Sequence, residues 1–272
     1  MSESGRNRRG GKVLIMSDKV KWTVLGSSAG HVSSTHNSSG YLLEVNGRRI
    51  LFDCGSGICS SIKRLDYSPI EFSHIFVSHM HSDHTCELPL FVQMRYTTKE
   101  PGTLEIWMPS EGIEAFKKWL STGYLFAEKL PFNMIINPVK GEITLDHPDI
   151  KIIPILNNHL KDSAEYIDKY HYPNRMESYT YRIETSERDI LYSGDLWSID
   201  DIEVHLKKLD LLVLESMHID LGALPDLVER YRIGKVLLTH ISDDDRQKVS
   251  EFAEKAGCDR FLVAEDGFEI EL

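Results

Sequence analysis

The run His79-Met80-His81-Ser82-Asp83-His84 constrains this chain more than any other feature. Four residues of metal-ligand type fall within six positions, directly after the apolar stretch Ser73 to Ser78, which reads as a buried strand. In extended backbone, residues i and i+2 point the same way, so His79 and His81 can grip one ion together. If the chain then turns into a helix, Asp83 and His84 aim at a second point nearby. Imidazole and carboxylate ligands together suit zinc, with manganese or iron as alternatives. A polar loop that happens to be rich in histidine would explain a lone His; it does not explain this cluster.

A site of this kind needs ligands from elsewhere, and three residues stand in matching contexts. His159 follows the strand-like run Ile150 to Leu156, Asp195 follows Asp189 to Tyr192, and His240 ends Lys235 to Thr239. Singly, each is an ordinary polar residue at a strand end. As a set, they predict side chains converging on one rim of a sheet.

The rest of the chain alternates short β-rich runs with helical stretches. Lys21 to Gly26, Tyr41 to Val45 and Arg49 to Asp53 read as strands, the last two joined by the hairpin signal Asn46-Gly47. A helix is expected from about His84 to Tyr96, and another capped by Ser110 with Ile113, Phe116, Trp119 and Leu120 on one face. Later strands are expected at Tyr179 to Glu184, Asp210 to Leu214 and Phe261 to Ala264, with helices near Ala223 to Tyr231 and Asp244 to Ala256. Hairpins early and β–α alternation late predict two sheets faced by helices, an α/β (α+β) arrangement in one domain over residues 19–272. Residues 1–18 carry Arg6, Arg8 and Arg9 and read as a disordered tail or an upstream start, with a basic partner-contacting arm as the alternative.

The balance of 31 Lys plus Arg against 42 Asp plus Glu gives a net charge of −11. That argues against a non-specific grip on nucleic acid, which needs a dominant basic surface. No apolar run approaches the ~18 residues of a spanning helix, so no membrane role is expected. Cys54, Cys59, Cys86 and Cys258 form no CxxC pair, which fits a reducing, cytoplasmic setting.

The order Asp53, His79-x-His81-x-Asp83-His84, His159, Asp195, His240 resembles the metallo-β-lactamase superfamily. Leu25-Gly26-Ser27, Asn37-Ser38-Ser39, Phe52-Asp53-Cys54-Gly55, Tyr192-Ser193-Gly194-Asp195 and Leu238-Thr239-His240 resemble its ribonuclease Z and phosphodiesterase branch. The resemblance runs from about Lys21 to the C-terminus. It implies a four-layer αββα sandwich with two divalent metal ions at one edge. One ion would be held by His79, His81 and His159, the other by Asp83, His84 and His240, with Asp195 shared. Asp53 would orient the metal loop from behind, as outer partners of metal ligands do; a turn residue before Gly55 is the other reading.

Two such cations about 3.5–4 Å apart would share a water and lower its pKa toward neutrality, and the hydroxide would attack phosphorus in line. The cations would also offset charge on the non-bridging oxygens. No Ser or Cys nucleophile is needed.

The chain departs from the resembled pattern in two places. Ribonuclease Z enzymes commonly carry a long tRNA-gripping arm between the His159 and Asp195 positions; the interval here is 195 − 159 = 36 residues and is not notably basic. Relatives also have a His-Glu pair after the bridging Asp, thought to supply a general acid. Here Leu214 stands in place of that His, while Glu215 is kept. His218, three residues on, substitutes if the chain turns; otherwise it is a surface residue and the leaving group takes its proton from elsewhere. Tyr170, His171, Tyr172 and Arg175 either line the pocket or form an exposed loop. Ser121 to Phe132 reads as core, with a lid or dimer contact as the alternative.

The expectation is therefore a dinuclear hydrolase of small or nucleotide-like phosphodiesters, with Asp83 and His218 as candidate catalytic residues. The rivals are a tRNA 3′-processing endonuclease, for which RNA is the partner, and a thioester or lactone hydrolase. Redox di-iron members usually show Glu where His81 stands, and all seven ligand positions are filled, which speaks against an oxidoreductase and a non-catalytic module. A homodimer is expected only by analogy of fold.

Overall fold

The computed structural model describes residues 19–145 and 150–272; the expected tail, residues 1–18, lies outside them. Two seven-stranded sheets stack face to face. The first contains β1 (Val20–Gly26), β2 (Gly40–Val45), β3 (Arg48–Phe52), β4 (Phe72–Phe76), β5 (Thr103–Met108) and β6 (Asn133–Pro138) in that order. The second runs β13 (Phe261–Val263), β12 (Lys235–Thr239), β11 (Leu211–Glu215), β10 (Asp189–Tyr192), β9 (Tyr179–Glu184), β8 (Lys151–Leu156), β7 (Ile143–Thr144). The closing strand β14 (Glu269–Glu271) returns to pair with β1 on the edge of the first sheet.

Period-two side-chain alternation divides the apolar residues of each strand between two cores. Tyr41 and Leu43 of β2, Ile50 and Phe52 of β3, and Phe76 of β4 meet Tyr181, Tyr192, Val213 and Leu237 between the sheets, around the fully buried Trp22. Their neighbours Leu42, Leu51 and Ile75 face outward onto α1 (Ile58–Arg64), α3 (Leu88–Thr98) and α4 (Ile113–Thr122). Leu212, Leu214, Val236 and Leu238 likewise face α6 (Leu224–Tyr231) and α7 (Arg246–Ala256). Strands buried on both faces read as continuous hydrophobic runs, and this is why 211–214 and 236–238 do. The layers are the expected αββα sandwich.

Parallel pairing decides where the strands end. β3, β4 and β5 are parallel neighbours, and so are β10, β11 and β12, so each group delivers its C-terminal ends to one edge. At that edge Tyr179 N–H donates to the Ser78 carbonyl at 2.9 Å, and the Tyr181 hydroxyl donates to the Val77 carbonyl at 2.7 Å, tying the two sheets together.

Three expectations are corrected. The helix expected from His84 to Tyr96 is two pieces, α2 (Ser82–Thr85) and α3. Glu87 sits between them with its carboxylate accepting the Gly57 and Cys59 N–H groups at 2.8 Å each, and Pro89 lacks the N–H needed to carry one helix through. Ser110 does not cap a helix: it opens a 3-10 turn, its hydroxyl donating to Glu177 at 2.7 Å, and Trp119 is 53% exposed. The apolar stretch 121–132 is only partly core, because Phe132 is buried whereas Tyr124 is exposed. Strands β5, β6, β7 and β14 are additional to those expected from sequence.

Candidate metal centre

The strand-end residues do converge. His79 and His81 follow β4, Asp83 and His84 open α2, His159 follows β8, Asp195 follows β10 and His240 follows β12. Ligand-type atoms of His79, His81, His159 and Asp195 lie within 4.8 Å of one another, and so do those of Asp83, His84, Asp195 and His240. Asp195 belongs to both groups. Its Oδ1 is 3.3 Å from His84 Nε2, while its Oδ2 is 3.3 Å from His240 Nε2 and 3.6 Å from His159 Nε2.

The imidazoles are aimed from behind. His84 Nδ1 donates to Asp53 Oδ2 at 2.8 Å, which turns Nε2 toward Asp195. Ser39 Oγ holds His240 Nδ1 at 3.0 Å, Ser78 Oγ holds His79 Nδ1 at 3.0 Å, and the Leu196 carbonyl lies 3.4 Å from His159 Nδ1. His81 faces His159 through its own Nδ1 at 3.3 Å. Asp53 is fully buried and accepts four hydrogen bonds: Ser78 N–H at 2.7 Å, Ser78 hydroxyl at 2.8 Å, His84, and the Tyr192 hydroxyl. Its φ of 59° is left-handed, a conformation Asp tolerates better than most residues, and it turns the carboxylate back under the metal loop. Gly55 lets that loop pack closely, since a Cβ there would lie 2.0 Å from the Asp83 carbonyl.

Burial and neighbouring charges act against each other across the cluster. Burial raises the cost of ionising Asp195, yet His240, His84 and His79 outweigh it and hold the carboxyl well below its usual range. Burial likewise opposes a charge on His84, but Asp195 and Asp53 hold its pKa well above normal. Burial and the neighbouring His84 push His79 well below normal, and burial lowers His81 and His159. His79 Nε2, His84 Nε2 and Asp195 Oδ1 are buried and have no hydrogen-bond partner. Buried polar atoms are rarely left so; three of them facing one space are what divalent cations would satisfy.

From sequence, His218 is either a surface residue or a substitute acid. Its ring centroid lies 5.2 Å from that of His159 and 6.3 Å from that of His240, so it stands over the site. Glu215 is buried and accepts the Met217 and His218 N–H groups at 2.7 and 3.0 Å, bending the chain so that His218 Nδ1 comes 3.3 Å from its carboxylate. That contact raises the His218 pKa above its usual value against the opposing effect of burial. Leu214 points to the other face of β11, into the α6–α7 core. Tyr172 lines a cavity beside His81, whereas Tyr170 and Arg175 do not; the Arg175 guanidinium instead donates to Ser110 Oγ at 3.0 Å. Sequence reading did not single out Ser39, Ser78 or Tyr192 as supports. Their signal is their place in the words Asn37-Ser38-Ser39 and Tyr192-Ser193-Gly194-Asp195 or, for Ser78, directly before His79.

A two-sheet sandwich with this His/Asp rim is a metallo-β-lactamase fold of the ribonuclease Z and phosphodiesterase branch, a scaffold of metal-dependent hydrolases. More narrowly, the chain belongs to the family described as Anti-Pycsar protein Apyc1, whose model matches residues 20–265. A ribonuclease Z from Methanosarcina acetivorans is 26% identical over 300 aligned residues, covering 93% of this chain and 98% of its own. The metallo-β-lactamase fold protein YhfI from Bacillus subtilis superposes with a TM-score of 0.74 at 20% identity, covering 93% of this chain and 99% of that one. A diphosphatase from the PhnP family superposes at 0.67 with 19% identity, covering 93% and 98%. Among the described residues no helix is long and apolar enough to cross a membrane.

Proposed function

We propose that the protein is a dinuclear metal-dependent phosphodiesterase acting on a small, nucleotide-like phosphodiester. The observation that carries this reading is the pair of candidate ligand clusters sharing Asp195, with buried His79 Nε2, His84 Nε2 and Asp195 Oδ1 making no hydrogen bond. His79, His81 and His159 would hold one cation, and Asp83, His84 and His240 the other. Zinc is the expected ion for this donor set. The chemistry that two divalent cations supply when bound is Lewis acidity toward phosphoryl oxygens and a nucleophilic water at neutral pH.

The chain's own residues do the rest. Asp53, Ser39 and Ser78 fix the Nδ1 side of their histidines, so the inward nitrogens need no reorganisation when substrate arrives. His218, its Nδ1 held by Glu215, keeps Nε2 free to donate a proton to the departing oxygen, and its raised pKa keeps that proton available near neutral pH. Four free cysteines fit a cytoplasmic place of action.

A ribonuclease Z activity is the second reading, favoured by the curated relatives of that name. Against it, the segment between His159 and Asp195 is taken up by a 3-10 turn, α5 (Ala164–Tyr170), β9 and β10, with no projecting arm among the described residues. Turnover of bis(p-nitrophenyl) phosphate by the zinc-loaded protein, beside Asp83→Ala, tests the proposal. Turnover lost in the variant supports it. A wild type with two bound metals that ignores this diester but trims precursor tRNA would overturn it in favour of the second reading.

A further inference from the structure

The imidazoles of the centre are not all aimed in the same way. His79, His84 and His240 each have Nδ1 against a side chain, that of Ser78, Asp53 and Ser39 respectively. His159 has Nδ1 against a backbone carbonyl instead, that of Leu196 at 3.4 Å, in the loop that carries Asp195. Its aim is therefore set by how the loop 157–161 registers against the loop 195–201.

The first loop is fixed at its root. Asn157 is buried, its N–H donates to the Ser178 carbonyl at 2.9 Å, and its Oδ1 accepts the His159 N–H at 3.1 Å. Past that point the loop is open, with Asn158 exposed. Two contacts cross from there to the second loop. Asp201 Oδ1 accepts from Asn158 Nδ2 at 2.6 Å, while its Oδ2 accepts from Trp197 N–H at 2.9 Å and from Asn158 N–H at 3.4 Å. Lys161 Nζ lies 3.7 Å from the centroid of the Trp197 ring, over its face. One carboxylate thus holds a chain neighbour of His159 together with the second residue after Asp195.

Asp201 also forms a capping box with Ser198 on the 3-10 turn Ile199–Asp201. The bond that role needs, from Ser198 N–H, is the longest that the carboxylate accepts, at 3.5 Å. Its short bonds go to Asn158 and Trp197, and short bonds are the strong ones. The geometry therefore favours the cross-loop contact over the local cap.

Resting on the dinuclear metal reading, we infer that Asp201 is a positioning residue for the centre, clasping Asn158 to Trp197 so that the Leu196 carbonyl stays against His159 Nδ1. His159 Nε2 then stays toward Asp195 and His81, 3.6 Å from Asp195 Oδ2 and 3.3 Å from His81 Nδ1. Partners behind a metal-binding imidazole fix its tautomer and orientation, and here that partner is itself held by a third group. The clasp acts on the His79, His81 and His159 group. The group of Asp83, His84 and His240 has separate supports in Asp53 and Ser39.

The test measures both stepwise zinc affinities of the metal-depleted protein by competition with a chromophoric chelator, and the thermal midpoint without metal establishes that each variant folds. Asp201→Ala should weaken one zinc ion about 10-fold, the low end for loss of an outer partner, and change the other little. Asn158→Ala should weaken the same ion, although it leaves the capping box intact. Asp201→Asn should stay close to wild type, because its amide oxygen can accept the Trp197 N–H while its NH2 donates to a turned Asn158 side chain. A lower midpoint in Asp201→Ala with unchanged zinc affinities confines Asp201 to its own turn and overturns the clasp. An Asn variant as weak as the Ala variant shows that charge alone acts, and equal weakening of both ions places the effect on Asp195; either result also overturns it. A wild type that binds no zinc ends the dinuclear reading and the clasp with it, whereas a wild type and variants that bind two ions alike remove the clasp alone.

Discussion

Replacing Asp53 with Asn probes the support of the metal site while sparing every candidate ligand. Asn tolerates the left-handed φ of 59° and has the same shape, so the change is one of charge and hydrogen bonding. Asp53 Oδ2 accepts from His84 Nδ1, the Ser78 hydroxyl and the Tyr192 hydroxyl, and Oδ1 accepts from Ser78 N–H. An amide can place its oxygen at the first position only by turning its NH2 toward the Ser78 N–H, which leaves a buried donor facing a donor. One unsatisfied buried group costs about 1–3 kcal/mol, and loss of the charge weakens the three remaining bonds. A total of about 3 kcal/mol corresponds to a fall of roughly 5–10 °C in Tm for a chain of this size. The neutral amide oxygen is also a weaker acceptor for His84 Nδ1 than the carboxylate, so affinity for a cation held by His84, Asp83 and His240 is expected to fall ~10- to 100-fold. Competition titration against a chromophoric chelator, beside calorimetry of the metal-depleted protein, measures both. An Asn variant that binds two cations with wild-type affinities would refute the assignment of Asp53 as the positioning group.

Other consequences follow from the same geometry. His218→Ala should lower kcat ~100-fold for diesters with alkoxide leaving groups and far less for p-nitrophenolate, which needs no proton; equal losses on both would show that His218 is not the acid. Glu215→Gln removes the contact that raises the His218 pKa, so the alkaline limb of the kcat–pH profile should move to lower pH, and a profile that stays put would contradict the pairing. Gly55→Ala forces a Cβ against the Asp83 carbonyl, which is backbone and cannot swing away; a loss of about 1–3 kcal/mol and reduced metal content are expected in denaturant melts and metal analysis. Chelation followed by zinc readdition should lower and then restore Tm, because ions at 1,000 times their Kd add about 4 kcal/mol.

The candidate ligand cluster was legible because four of its residues share one local word and the others end apolar runs, and parallel pairing makes strand ends meet. Less was legible where function depends on a turn. Nothing in Leu214-Glu215-Ser216-Met217-His218 shows that the Glu215 carboxylate will collect the Met217 and His218 N–H groups and swing the imidazole over the site. The helix break at Cys86-Glu87 was hidden for a similar reason, since Glu87 caps α1, a partner about 30 residues away. Thr103–Met108 does alternate in burial and could have been read as a strand, whereas the edge strand β6 and the three-residue β14 carry too little pattern. Tyr170 and Tyr172 stood out in the sequence as pocket or exposed-loop residues, and only tertiary packing shows that Tyr172 lines the cavity beside His81 whereas Tyr170 does not.

On the proposed function, two cations held around Asp195 are jointly required for phosphodiester hydrolysis. Zinc titration of the metal-depleted protein, with bis(p-nitrophenyl) phosphate turnover followed at each addition, tests it directly. Activity should stay near zero through the first equivalent and rise with the second, reaching a plateau at two zinc ions per chain. Full activity at one equivalent, or turnover in the metal-free protein, would contradict the account.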